Sequence, residues 1–410
     1  FNMNKKMMRK YAALTARTGA NVQKGQDVFI TISAELHEFA ALLAAECYKA
    51  GAAAVHMQWT YQPITKLAYK KQSLKTLSTP LPWNVERFRY MAEKLPARIV
   101  VLSDDPNGLD GVDFSKVSKA NQAIYPIIKP YRDAIENRHQ WCIIAFPTVK
   151  WAKRVFPQDT GSVALKKLTD AILASVHITE DNNPMEAWEK RNKSFKERRA
   201  VLNSHHFDTL EYKSSNGTDF RVGFMEKSRW QGGCDTTIGG VVFNPNMPTE
   251  ELFCSPKKGV AEGRVVATKP LSYNGSLIEN FEITFHEGKA VSWKAEKGQE
   301  LLDKMLSMDE NAPYLGECAL IPKDSPINES GILFYETLFD ENASCHLALG
   351  KGYADTIEGF ENMTAEELKE MGLNDSMIHV DFMIGSDDMS ITGYTNGVPF
   401  KIFENGTWAF

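Results

Sequence analysis

Along the first 200 residues the apolar positions switch repeatedly between two periods. The β-rich run DVFITIS (27–33) precedes AELHEFAALLAAECYKAG, whose helical apolar spacing ends at Gly51. The succession continues through AAVHMQW (53–59), the helix-like NVERFRYMAEKL (84–95), ARIVVLSDD (97–105), QWCIIAFPT (140–148) and the helical SVALKKLTDAILASV. Short apolar strands separated by amphipathic helices predict an α/β unit with a mainly parallel sheet. From about residue 205 the texture changes. FDTLEYKSS, TDFRVGF and LIENFEITFHEGKAVSWKA carry turn dipeptides at Asn216-Gly217, Asn274-Gly275 and Glu287-Gly288, the signal of hairpins. With helical inserts at 297–310 and 364–371, this half reads as α+β with antiparallel strands. A charged helix from Pro184 to about Asn203 leads from one texture to the other. The expected domains are therefore 3–183, α/β, and 184–410, α+β.

Composition adds little until it is split. The 410 residues are 43% hydrophobic and 24% charged, as in ordinary globular chains, and no apolar run approaches the roughly 18 residues of a membrane helix. The net charge of -5 conceals an asymmetry. Residues 1–200 hold 31 Lys and Arg against 19 Asp and Glu, whereas residues 201–410 hold 16 against 33. So acidic a half is a poor partner for nucleic acid and a plausible host for divalent cations or a cationic amine. Six cysteines without a CxxC pair give no disulfide framework. The basic segment MNKKMMRKYAALTARTG has no apolar stretch of a secretory signal, and the expected compartment is the cytoplasm.

Candidate chemistry concentrates in the acidic half. In SMIHVDFMIGS (376–386), strand alternation turns His379 and Asp381 to one side and Ile378, Val380 and Phe382 to the other. His-x-Asp on one strand face offers an N and an O ligand suited to zinc, cobalt or manganese; the plainer reading is a histidine satisfied by a neighbouring carboxylate. LFDENASCHLALGKGY (338–353) contains Glu341, His346 and Tyr353, with Glu341 and His346 an awkward five residues apart for one helix face, though a helix entrance would accommodate them. Glu317 lies between apolar neighbours in YLGECALIP, where a carboxylate must be paired or functional. Glu250 and Glu251 follow Pro248, in a setting that also suits a helix N-terminus. Gly350-Lys351-Gly352 begins like a dinucleotide fingerprint but lacks its third glycine and a following βαβ unit. No GxxxxGK[ST], GxSxG or HExxH motif occurs, which disfavours a nucleotide-binding protein and a one-zinc protease of the HExxH type.

Taken together, NMPTEELF, RVVATKPLSYNGSLIENF, LGECALIP, LFYETLFDENASCHLALGKGY, HVDFMIGS and the terminal NGTWAF strongly resemble the aminopeptidase T / aminopeptidase S metalloaminopeptidases, in order over the second half and more loosely over the first. The resemblance implies a cytoplasmic homodimer that removes the N-terminal residue from peptides with broad specificity, using two divalent ions (zinc, cobalt or manganese) and a water activated between them. It implies Glu251, Glu317, Glu341, His346, His379 and Asp381 as metal ligands, Glu317 also as general base, and Tyr353 as a second catalytic group. Glu251 is preferred to Glu250 on spacing alone. The alternative is a metal-dependent amidase of small molecules on the same scaffold.

Overall fold

The computed structural model describes residues 3–410. They form two compact units, one of residues up to Asn192 with Cys234–Pro248, the other of Lys193–Gly233 with Thr249–Phe410. The division falls within the charged helix, Pro184–His205, and not at its start, so the boundary differs from the expected 183/184. Sequence texture also gave no sign that a short segment in the acidic half returns to the first unit.

The first unit is built on β1 (Asp27–Ser33), β2 (Ala54–Thr60), β3 (Ala97–Leu102) and β4 (Trp141–Ala145), all parallel in the order β2-β1-β3-β4. Alternation sets its buried face: Val28, Ile30, Ile32, Ile99, Cys142 and Ile144 are buried, with half-buried residues between them. The returning segment pairs with the free edge of β4, where Ile143 donates to the Pro245 carbonyl and accepts from Met247 N–H.

The second unit begins with β5 (Thr209–Lys213) and β6 (Asp219–Phe224); β7 (Asp235–Thr236) and β8 (Val242–Phe243) then form a small hairpin in the returning segment. There follow β9 (Leu252–Cys254), β10 (Pro256–Val266), β11 (Leu271–Tyr273), β12 (Ser276–His286), β13 (Lys289–Lys297), β14 (Leu315–Leu320), β15 (His346–Gly350), β16 (His379–Met383), β17 (Ser390–Thr395), β18 (Val398–Glu404) and β19 (Thr407–Trp408). A nine-stranded antiparallel sheet runs β11-β12-β10-β6-β5-β17-β18-β19, with β13 beside β12; a second, four-stranded antiparallel sheet runs β16-β15-β14-β9. One hydrophobic core joins the two sheets. The chain is thus α/β with a parallel sheet followed by α+β with antiparallel strands. No helix among the described residues is long and apolar enough to cross a membrane.

Candidate metal centre

The four-stranded sheet has two chemically opposite faces. Leu252, Cys254, Cys318, Leu320, Leu347, Leu349, Val380 and Phe382 all point into the hydrophobic core. Because the side-chain period of a strand is two, the residues between them take the other face: Glu317 and Ala319, His346 and Ala348, His379 and Asp381, with Phe253 and Glu251 in line with β9. The register aligns them across strands, with Asp381 opposite Ala348 and Ala348 opposite Glu317. Each acidic or basic position is therefore fixed by the burial of its apolar neighbours.

On that face the ligand-type atoms converge. His346 Nε2 lies 3.1 Å from Glu251 Oε2, 3.2 Å from Glu317 Oε2 and 3.7 Å from Asp381 Oδ1. His379 Nε2 lies 3.4 Å from Asp381 Oδ1 and 3.9 Å from Glu317 Oε2. Two groups result, Glu251–Glu317–His346 and Glu317–His379–Asp381, each with its ligand atoms within 4.8 Å of one another, and Glu317 belongs to both. Glu341 stands outside these groups, with Asp381 and Glu251 among the charges that act on its buried carboxyl.

The backbone orients both imidazoles. His346 Nδ1 is 2.9 Å from the Glu341 carbonyl, and His379 Nδ1 is 2.7 Å from the Lys351 carbonyl. A carbonyl only accepts, so Nδ1 carries the proton in each ring and Nε2 is turned to the carboxylates. Glu341 is not on a helix face with His346; it lies in a short 3₁₀ turn, Glu341–Ala343, and His346 opens β15. The close glycines have a similar role. A Cβ on Gly316 would strike the Lys351 and Gly350 carbonyl oxygens, and Gly350 itself has φ +103°. Gly350-Lys351-Gly352 is thus a tight approach that presents a carbonyl to His379.

The buried charges perturb one another strongly. Burial pushes the Glu317 carboxyl up to about 8, reinforced by Glu251 and Asp381 and opposed by His346. Burial, with Asp381 and Glu251, raises Glu341 well above the carboxylate range. Against the burial that would raise it, His379 and His346 hold Asp381 well below that range. Burial disfavours charge on the two histidines, but the facing carboxylates overcome it, raising His379 to about 9 and His346 well above its ordinary value. The Tyr353 ring lies tilted against that of His379, with centroids 4.8 Å apart. Burial and then the charges of Glu317, Asp381, Glu251 and Glu341 raise its phenol, so it stays a neutral O–H donor.

This geometry can be set beside known proteins. The family model for the thermophilic metalloproteases (M29) matches residues 4–408. The chain belongs to the M29 thermophilic metalloprotease family. Aminopeptidase AmpS of Bacillus subtilis (strain 168) is 40% identical over 402 residues, 98% of each chain. Aminopeptidase 2 of Geobacillus stearothermophilus is 38% identical over 411 residues, 100% of this chain and 99% of its own. The solved structure of wild-type AmpT from Thermus thermophilus matches with a TM-score of 0.88 at 37% identity, covering 99% of this chain and 100% of that one.

An M29 metalloprotease requires a divalent metal, and the side chains here fit one. Glu251 Oε2, His346 Nε2 and Asp381 Oδ1 are buried and make no well-formed hydrogen bond, although they crowd together. Buried acceptors facing one another are costly unless a proton or a cation lies between them. With each Nδ1–H committed to a carbonyl, each Nε2 is the atom directed at that position, and it would serve as a ligand once its proton gave way to a cation. Oxygen and imidazole ligands suit the borderline divalent ions. Glu250 contributes its backbone N–H to Asn342 Oδ1 at 2.7 Å, one residue out of phase with the ligand face. The backbone carbonyls of Glu341 and Lys351 are the orienting groups that the sequence left invisible; the only trace was the glycine pair around Lys351.

Proposed function

We propose that the protein is an aminopeptidase that hydrolyses the N-terminal residue from peptides, with two divalent ions, zinc, cobalt or manganese, held by Glu251, Glu317, Glu341, His346, His379 and Asp381. The observation that carries this reading is the pair of three-residue groups sharing Glu317 on one sheet face. Glu251, Glu317 and His346 would hold one ion; Glu317, His379 and Asp381 the other, with Glu341 beside Asp381 completing the set. When bound, such ions supply Lewis-acid charge and lower the pKa of a water between them.

The remaining steps belong to the chain's own side chains. Glu317 takes the proton of the attacking water at its carboxylate and passes it to the leaving amine. Tyr353, kept protonated by its surroundings, donates its O–H to the developing oxyanion. An acidic site also favours a cationic α-amino group, which suits an exopeptidase.

The aminopeptidase names of the relatives favour this reading over a small-molecule amidase. We place the chemistry in the second unit, and the enzyme in the cytoplasm as a homodimer; all six cysteines are unpaired, as in a reducing compartment. The test is to strip the protein with a chelator, restore zinc, cobalt or manganese, and follow release of a chromophore from an amino-acid anilide. Metal-restored release that fails when the amine is acetylated is the expected result. Equal hydrolysis of the acetylated anilide points to the amidase instead.

A further inference from the structure

Beyond the charged groups, the ligand face carries one apolar side chain that its surroundings leave half-exposed. Across the sheet Phe253 pairs with Ala319, Ala319 with His346, and His346 with Met383. Of the apolar members of this row Ala319 and Met383 are buried, whereas Phe253 is half-buried. Between Phe253 and His346 stands only the methyl group of Ala319, and between Glu317 and Asp381 only that of Ala348. The floor beside the charged cluster is therefore low, and Phe253 rises at its side.

Its position is fixed by neighbours on two sides. Phe253 N–H donates to the Gln231 carbonyl at 2.8 Å, and Gln231 N–H donates back to the Phe253 carbonyl at 2.8 Å. The Phe253 ring meets Tyr353 edge to face, with centroids 5.8 Å apart, and Tyr353 in turn lies against His379. Phe253 thus extends an aromatic wall along the ligand cluster, through Tyr353 to His379.

We infer that Phe253 determines specificity, forming the apolar wall against which the side chain of the substrate's first residue packs. The inference rests on the aminopeptidase reading and deepens it. A scissile carbonyl held at the cluster places the first side chain two bonds from the reacting carbon, on the adjoining Cα. On this sheet face, Phe253 is the apolar group available to it. Large apolar first residues are then preferred to small ones.

The experiment uses the full-length, metal-loaded protein and compares kcat/KM for the anilides of leucine, phenylalanine and alanine. In Phe253→Ala, the leucine-to-alanine and phenylalanine-to-alanine ratios fall about tenfold or more, the scale on which apolar pockets discriminate. Only these ratios count, whatever loss all substrates share. Phe253→Leu, a smaller change that keeps the fold's packing, shifts preference from phenylalanine to leucine by about threefold or more. Unchanged ratios in both variants overturn the inference, because Phe253 then only supports Tyr353. A wild-type protein that releases nothing from any anilide with metal restored overturns the aminopeptidase reading itself.

Discussion

His346 Nε2 stands 3.1 Å from Glu251 Oε2 while the other nitrogen of the ring is already engaged with the Glu341 carbonyl. The ring therefore has one free direction, and it is directed at acceptors. The same holds for His379, with Lys351 supplying the carbonyl and Asp381 facing Nε2. Backbone carbonyls thus aim both imidazoles at one cluster of carboxylates.

Sharing of Glu317 between both groups separates its variant from the others. Glu317→Gln should lower metal content at both positions and reduce turnover by more than about 10³-fold, since a base and a ligand are lost together. Glu251→Gln should reduce content toward one ion per chain. Metal analysis after gel filtration, with anilide turnover alongside, checks both. Near-normal kcat in Glu317→Gln assigns the base elsewhere.

Tyr353 should separate from the ligands in the opposite sense. Tyr353→Phe keeps the ring against His379 and Phe253 and removes only the O–H. Loss of one oxyanion donor predicts a fall in kcat of about 10²–10³-fold with metal content intact. Loss of metal in this variant makes Tyr353 a ligand instead.

Gly316 ties the fold to the site. In Gly316→Ala the new Cβ meets the Lys351 and Gly350 carbonyls, and the first of these orients His379. We expect a loss of about 2–4 kcal/mol in denaturant unfolding together with weaker metal binding. Wild-type stability and wild-type affinity together contradict this account of the glycine.

The first unit carries its own pH dependence. His139 is buried, its Nδ1 2.9 Å from the Ile135 carbonyl, and burial, with a smaller effect of Arg98, lowers its pKa to about 4. As pH falls below about 6.5 the unfolded chain takes up a proton that the folded one refuses until about 4. Stability is thus full above 6.5 and lost progressively toward 4, by about 2 kcal/mol at pH 5. Urea unfolding at pH 7 and pH 5 should show a smaller acid loss in His139→Gln than in the wild type. Equal losses rule His139 out as the cause.

How far the sequence reached depends on which forces set each element. β1 coincides with its apolar run, and the helices Gln299–Leu306 and Ala365–Met371 fall where inserts were expected, because periodic burial sets them. The His379/Asp381 strand was legible for the same reason. The 22-residue helix Phe114–Ile135 was not, since Pro126 and Pro130 in its interior mark a break in local terms. In the acidic half, Cys234–Pro248 was assigned by texture, yet its pairing partner is β4, more than 90 residues away. The residues of this cluster could be read as types and spacings, but not the place of Glu317 in both groups or the carbonyls that set the histidines, because register and backbone direction are tertiary facts.

The central claim is two ions sharing one centre, and stoichiometric titration addresses it most directly. Metal-free protein is mixed with rising equivalents of zinc, cobalt or manganese, and bound metal and anilide hydrolysis are read on the same samples. The account predicts activity that rises until two ions are bound per chain and then levels off, with Glu317→Gln recovering neither. Full activity at one bound ion per chain, or activity in the chelated protein, contradicts it.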